Sequence, residues 1–173
     1  MCEHCGCRGI APIAQLMDEH FELLEVGARL RRAAADTDDE AVRGLIAELR
    51  DGLVPHARRE ERGIFAGLRA SGEFVDAVDA LEAEHASFEE LIDGLDPAAP
   101  GFRSELHGLL DHLALHIDQE NLGIFPVAVV TLGADGWQMV EDAHHEHPHE
   151  HEHGHHARHP DPHPGGTPWT APR

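Results

Sequence analysis

The sequence predicts an all-α protein: an up-down-up-down four-helix bundle, followed by a short C-terminal helix and flanked by tails that we expect to be disordered. Apolar residues recur at helical spacing through most of residues 10–132. Turn-forming stretches divide that region into four segments. The first pair of segments is echoed by the second pair about 60 residues later, which indicates two helical hairpins in tandem.

Proline, glycine and short polar residues set the predicted helix boundaries. Pro12 suits a first helical turn, and the Asp-Thr-Asp-Asp stretch at 36–39 favours a turn and an N-cap. Pro55 is predicted to bend the second helix without ending it, because the apolar period resumes after it. The predicted segments are a Cys/His-rich head (1–9), a bundle (10–132) with helices at about 12–35, 39–70, 73–95 and 102–131, a short helix (133–143) and a His-rich tail (144–173).

A pattern typical of metal ligands occurs twice, 60 residues apart. His56 is followed by Glu60 and then by Gly-Ile-Phe, and His116 is followed by Glu120 and the same Gly-Ile-Phe. Residues four apart lie on the same face of a helix, so each copy points one imidazole and one carboxylate in one direction. The apolar residues of the two copies are predicted to pack in the core and keep the site dry, not to bind metal: Ile64, Phe65, Ile124 and Phe125.

Two further histidines, His20 and His85, extend the pattern, and each directly follows a glutamate in a leucine-containing segment. Counting about 1.5 Å per residue from the predicted turns places His20, His56 and His85 at matching depths in the bundle. By the same count His116 is offset by about 10 Å, and the proline-rich loop before its helix must make up the difference.

These side chains indicate the kind of metal that the bundle would hold. Four imidazoles and at least two carboxylates, without a cysteine, suit iron or manganese. Burying them without a metal would leave costly unpaired polar groups. Six or more ligands on four helices indicate two ions with bridging carboxylates.

Composition and charge argue against several other classes of protein. The formal net charge is -20, with 33 acidic and 13 basic residues, so the chain lacks the basic surface that nucleic acid requires. No apolar run approaches the roughly 18 residues of a membrane span, and we expect no secretory signal because no basic region followed by an apolar stretch opens the chain. The three cysteines fall within residues 1–7, which is not a disulfide framework, and we expect a reducing, cytoplasmic location.

The two His-x-x-x-Glu motifs, with the phenylalanine and proline that follow the second, resemble the bacterial hemerythrin-like proteins and their HHE cation-binding domain. The resemblance covers about residues 10–132. It implies a four-helix bundle around a non-haem centre of two iron ions joined by an oxo or hydroxo bridge. In the implied arrangement His20 and His56 bind one iron, His85 and His116 bind the other, and Glu60 and Glu120 bridge them.

The sequence departs from the oxygen-carrying members of that family at Glu89, where those proteins have a second histidine one turn after the third-helix histidine. His112, one turn before His116, is a further candidate ligand, and Glu89 is either a ligand or an exposed neighbour of Glu90. An additional carboxylate would stabilise oxidised iron and disfavour simple O₂ storage. The resemblance therefore implies redox chemistry with O₂, H₂O₂ or NO in oxidative-stress protection, including a catalase- or peroxidase-like activity. Storage or handling of iron, nickel or zinc, and oxygen or iron sensing, remain open alternatives.

Both tails carry potential metal ligands outside the bundle. Residues 144–163 contain 10 of the 17 histidines, interspersed with acids and prolines, so the tail is either a metal reservoir or a solvated segment that binds metals incidentally. The head contains a cluster that could bind a soft ion or could consist of incidental thiols: Cys2, His4, Cys5 and Cys7. Small molecules are the expected partners of the protein, and neither nucleic acid nor a membrane is expected.

Overall fold

The computed structural model describes residues 9–146, and this part of the chain is helical apart from short connections. Two π-helical segments, Glu61–Phe65 and Glu120–Ile124, interrupt otherwise continuous α-helical rods. The α-helices are α1 (Ala11–Asp36), α2 (Asp39–Glu60), α3 (Ala66–Ser71), α4 (Val75–Gly94), α5 (Phe102–Gln119), α6 (Phe125–Thr131) and α7 (Ala134–Glu146).

Four rods form the bundle, and the predicted all-α fold is confirmed. The first rod is α1, and the second is α2 with its continuation into α3. The third rod is α4, and the fourth is α5 with its continuation into α6. Each rod packs against two neighbours in the ring: α1 contacts α2 and α5, and α4 contacts the same two helices. The helix α7 lies outside this ring, against α3 and the first π-helical segment.

Local sequence accounts for the tight turn between α1 and α2. Thr37 adopts a left-handed conformation, with φ of 58°, and ends α1. The side chain of Asp38 then accepts a hydrogen bond of 3.0 Å from the backbone N–H of Ala41, which satisfies one free donor at the start of α2. Helix α2 continues past Pro55, as predicted, and leaves regular α geometry only after Glu60.

The loop between α4 and α5 supplies the axial offset that the sequence required. Helix α4 ends at Gly94, and residues 95–101 carry the chain to the level of the α1–α2 turn before α5 begins. There Pro97 and Phe102 line the same cavity as Ala34 and Thr37. Helix α5 therefore starts farther from the middle of the bundle than α4 ends, so that their histidines can meet.

The core consists of two apolar clusters, one on either side of the middle of the bundle. One cluster lies toward the α1–α2 turn and includes Leu23, Leu53, Phe88 and Ile117. The other lies toward α7 and includes Met17, Ile64, Leu81, Ile124 and Val140. Each rod passes from one cluster to the other near its candidate ligands, so a polar layer lies between two apolar ones.

Helix α7 packs closely on the second rod because glycines let the backbones approach. A Cβ placed on Gly63 would lie 3.1 Å from the Cα of Val140, and one placed on Gly67 would lie 3.5 Å from the Cα of Gly136. The helix continues to Glu146, so His144 belongs to it, and the Nδ1 of His144 lies 2.8 Å from the carbonyl oxygen of Val140.

Candidate metal centre

Both π-helical segments adjoin the candidate carboxylate ligands. The first begins directly after Glu60, and the second begins at Glu120. A π-helical turn holds one extra residue, which rotates the rest of the rod relative to the preceding α-helix, and such turns are frequent at functional sites. The sequence prediction missed these segments, although the repeated Glu-x-x-Gly-Ile-Phe was the signal that the two rods share a local feature.

The histidines of the first half of the centre lie on α1 and α2, and the second π-helical segment adds Glu120. Nε2 of His20 lies 3.1 Å from Oε2 of Glu120 and 3.5 Å from Oε1 of Glu60. Nε2 of His56 lies 3.3 Å from the same Oε1 of Glu60. These four side chains are buried, and their potential donor atoms all lie within 4.8 Å of one another.

The second half is formed by α4 and α5. Nε2 of His85 lies 3.4 Å from Oε2 of Glu60 and 3.5 Å from Oε1 of Glu120. Nε2 of His116 lies 3.1 Å from Oε1 of Glu120. His85, His116 and Glu120 form a close buried group, and Oε2 of Glu60 faces it from beside His85.

The two carboxylates lie between the halves. Oε2 of Glu120 faces His20, while its Oε1 faces His85 and His116. Oε1 of Glu60 faces His20 and His56, while its Oε2 faces His85. Each carboxylate therefore presents one oxygen to each half, which is the arrangement that a bridging ligand needs.

The atoms that meet in the centre lack hydrogen-bond partners. Within the described chain, seven buried atoms of the cluster have none: Nε2 of His20, His85 and His116, and both carboxylate oxygens of Glu60 and Glu120. Each buried polar atom left unpaired costs about 1–3 kcal/mol, and a whole domain is stable by only about 5–15 kcal/mol. The cluster therefore requires cations, either protons or metal ions, and its donors fit a metal ion.

The outward-facing nitrogens of the histidines have partners of their own. Nδ1 of His56 donates to Oε2 of Glu19 over 2.7 Å, and Nδ1 of His116 donates to Oε2 of Glu84 over 2.8 Å. Glu19 and Glu84 directly precede His20 and His85, so the repeated Glu-His dipeptide supplies both a candidate ligand and an acceptor. Such acceptors fix the orientation of metal-binding imidazoles.

His20 and His85 find their outer partners on the other repeated motif. Nδ1 of His20 lies 3.1 Å from Oδ1 of Asn121, and Nδ1 of His85 lies 3.0 Å from Oε1 of Glu61. These partners directly follow Glu120 and Glu60. The sequence prediction missed all four acceptors, although the repeats carried them.

Phenylalanines of the two Gly-Ile-Phe segments cover the centre. Phe125 stacks on the ring of His20, and Phe65 stacks on the ring of His85, each with ring centroids 5.6 Å apart. Both phenylalanines are fully buried. They exclude water from the histidines, as the sequence predicted for packing residues.

The buried carboxylates control protonation of the histidines. Burial disfavours the charged form of His20, but the proximity of Glu120 and Glu60 outweighs burial and raises the pKa of His20 to about 10. Burial is likewise outweighed at His85, where Glu120 and Glu61 help to raise the pKa to about 10. Without a metal the centre therefore holds protons at neutral pH, and a metal ion must displace them.

The additional candidate ligands lie outside the two donor groups. Glu89 is partly exposed on α4, and its charge acts on Arg50, which forms an ion pair with Asp93. The Nε2 of His112 lies 3.6 Å from Glu84, and its side chain is 43% exposed. Four more candidates lie outside the residues that the structure describes: Cys2, His4, Cys5 and Cys7.

Comparison with known proteins agrees with this geometry. The family model described as the hemerythrin HHE cation-binding domain matches residues 11–128. The chain belongs to this family. Neither a curated protein nor a solved structure matches it. The matched region contains all six side chains that converge between the rods, so this hemerythrin-like protein is metal-binding and its buried His/Glu cluster is the fitting site.

Within residues 9–146, no helix combines the length and apolar character needed to cross a bilayer.

Proposed function

We propose that the hemerythrin-like centre binds two iron ions and reacts with O₂, H₂O₂ or NO in protection against oxidative stress. The observation that carries the proposal is the position of Glu60 and Glu120, each of which presents one oxygen to either half of the centre. A single ion would not need two carboxylates shared in this way. The nitrogen and oxygen donors suit iron better than a metal that prefers sulfur.

Bound iron would supply the electron transfer, and the residues of the chain would control access and charge. The imidazoles of His20, His56, His85 and His116 would hold the ions, with Nδ1 of each already fixed by an outer acceptor. Phe65 and Phe125 keep bulk water away from the stacked histidines. Each half offers two imidazoles and one oxygen from each of the two carboxylates, and a small molecule would bind beside these donors.

The direct test of this proposal is metal content followed by reactivity. Protein purified from iron-supplemented cells should contain about two irons per chain, as in carboxylate-bridged bundle sites. It should consume H₂O₂ catalytically, as followed by O₂ release and by loss of peroxide absorbance. His116→Ala should remove both iron and activity, whereas exposed His107→Ala should preserve them. One zinc per chain with no iron would contradict the di-iron centre.

Peroxide, O₂ and NO are distinguished by mixing the reduced protein with each one. Peroxide decomposition predicts repeated turnover with H₂O₂ and no long-lived complex with O₂. A stable complex with O₂ that forms and releases reversibly would instead support oxygen storage. A stoichiometric reaction with NO without peroxide turnover would support NO scavenging.

The His-rich tail supports a second candidate function, which is handling of nickel, zinc or iron. Ten histidines lie within residues 144–163, and neutral imidazole binds these metals well. Removal of residues 147–173 preserves all of α7 and is the matched test. The truncated protein should keep its core iron and lose the additional Ni²⁺ or Zn²⁺ bound by the full chain, as measured by calorimetric titration. Identical Ni²⁺ and Zn²⁺ binding by the two proteins would contradict this function.

A further inference from the structure

The two halves of the centre have the same kinds of candidate ligand, but the outer nitrogens of their histidines contact different residues. Nδ1 of His85 contacts Glu61, and Nδ1 of His20 contacts Asn121. The acceptor is therefore a carboxylate in one half and a neutral amide in the other. This difference lies at equivalent positions, one residue after each candidate bridging glutamate.

In the first half, the outer carboxylate is also neutralised. Oε2 of Glu19 accepts from Nδ1 of His56 over 2.7 Å and from the guanidinium of Arg59 over 2.6 Å. Both Glu19 and Arg59 are buried, so solvent does little to screen their pairing. The charge that Glu19 offers to His56 is thus shared with a cation, while Nδ1 of His20 contacts the neutral amide oxygen of Asn121.

In the second half, both outer acceptors are carboxylates. Nδ1 of His85 lies 3.0 Å from Glu61, and Nδ1 of His116 lies 2.8 Å from Glu84. The side chains of Glu61 and Glu84 are 29% and 28% exposed, so water weakens their long-range field. Water does not replace the direct hydrogen bonds, which act on the imidazoles themselves.

An imidazole whose N–H donates to a carboxylate becomes a more basic ligand at its other nitrogen. A more basic ligand stabilises the higher oxidation state of the metal that it binds. A neutral amide acceptor polarises the ring less, and a carboxylate shared with arginine lies between these cases. The outer contacts therefore make His85 and His116 the stronger electron donors.

We propose that the outer acceptors give the two metal positions different reduction potentials, and that Glu61 and Asn121 are the positioning residues that set the difference. An iron held by His20 and His56 would be reduced first, and an iron held by His85 and His116 would be reduced second. Each step would be a one-electron reduction of ferric to ferrous iron, with the electron supplied by a one-electron mediator dye equilibrated with the electrode. This inference rests on the proposed di-iron centre.

Two isosteric substitutions, Glu61→Gln and Asn121→Asp, test the inference in opposite directions. Both positions are partly exposed, which lets either charge state be accommodated. Spectroelectrochemical titration of the iron-loaded full chain should resolve two potentials. Glu61→Gln should raise the lower potential by about 59 mV, which for one electron is a tenfold change in the equilibrium constant, and leave the higher potential nearly unchanged. Asn121→Asp should lower the higher potential by a similar amount and leave the lower potential nearly unchanged.

Asp118→Asn is the control, because it removes one charge at an exposed position on α5. It should move both potentials slightly and together. The assignment would be wrong if Glu61→Gln moved both potentials equally, as is expected of the control, or moved only the higher potential. Two irons with unchanged potentials in both variants would also contradict it while leaving the di-iron proposal intact. A wild-type protein unable to hold two irons would contradict both.

Discussion

The two repeats of the chain have the same inner residues and different surroundings. Gly63 and Gly123 occupy equivalent positions of the repeated motif, each within a π-helical segment. A Cβ at Gly63 would meet the backbone of Val140 at 3.1 Å, while nothing lies within 4 Å of one at Gly123. The repeated glycine is thus a packing residue in the first repeat only. The repeated motifs carry the same candidate ligands, while the positions around them make different contacts in the two repeats.

The largest expected effect is the loss of one ligand from either half. His56→Ala and His116→Ala should each abolish stable metal binding and destabilise the bundle, because the facing buried carboxylates lose a partner. Leaving a buried polar group without its partner costs about 1–3 kcal/mol, and more when the group is charged. Metal analysis and urea unfolding of the two variants would compare the halves directly.

His107→Ala is the control for both ligand variants, since His107 is exposed and contacts Arg31 at the surface. It should leave the metal content unchanged. Metal loss in His107→Ala equal to that in His116→Ala would mean that the wrong face of α5 has been assigned to the centre.

Equivalent glycine substitutions should have opposite effects in the two repeats. Gly63→Ala should destabilise the protein by about 1–3 kcal/mol, because the methyl group meets the backbone of α7 and overpacks the contact. Gly123→Ala should be neutral or stabilising by up to about 1 kcal/mol, since the site is open and alanine favours helix. Thermal unfolding of both variants measures this difference. Equal destabilisation would show that the π-helical segment itself requires glycine.

Helical periodicity and repetition were enough to predict the bundle and the convergence of the four histidines. The His-x-x-x-Glu spacing fixes a helix face, and three of the four depths agreed by counting residues from the turns. The π-helical segments were missed because apolar periodicity does not distinguish a π-helical turn from an α-helical one, and only the repeated Glu-x-x-Gly-Ile-Phe marked the two rods as locally alike. The pairing of Glu19 with Arg59 was missed because it depends on tertiary contacts that bury both side chains.

The halves are alike in one respect, which is that each contains a histidine whose pKa is raised to about 10. A pKa raised above 6.5 in the folded state means that protonated His20 and His85 stabilise the metal-free bundle. This contribution is complete below pH 6.5, the value in the unfolded chain, and is lost as the pH rises toward about 10. Urea unfolding of metal-free protein should therefore show falling stability between those values. Metal-loaded protein should change much less, because metal replaces the protons. Constant stability of the metal-free protein across this range would contradict the raised pKa values.

The smallest expected effect concerns Glu89, the residue that would add a further carboxylate to the second half if it were a ligand. It lies one turn after His85 on α4, but it is partly exposed, and its charge acts on Arg50. Glu89→Gln should therefore keep the metal content and change stability by less than about 0.5 kcal/mol, as surface substitutions usually do. Metal analysis and peroxide turnover, compared with exposed Glu90→Gln, provide the measurement. Loss of one metal ion in Glu89→Gln alone would place Glu89 in the centre and make the two halves unequal in ligand number. Unchanged metal and turnover would leave each half with two imidazoles and the two shared carboxylates.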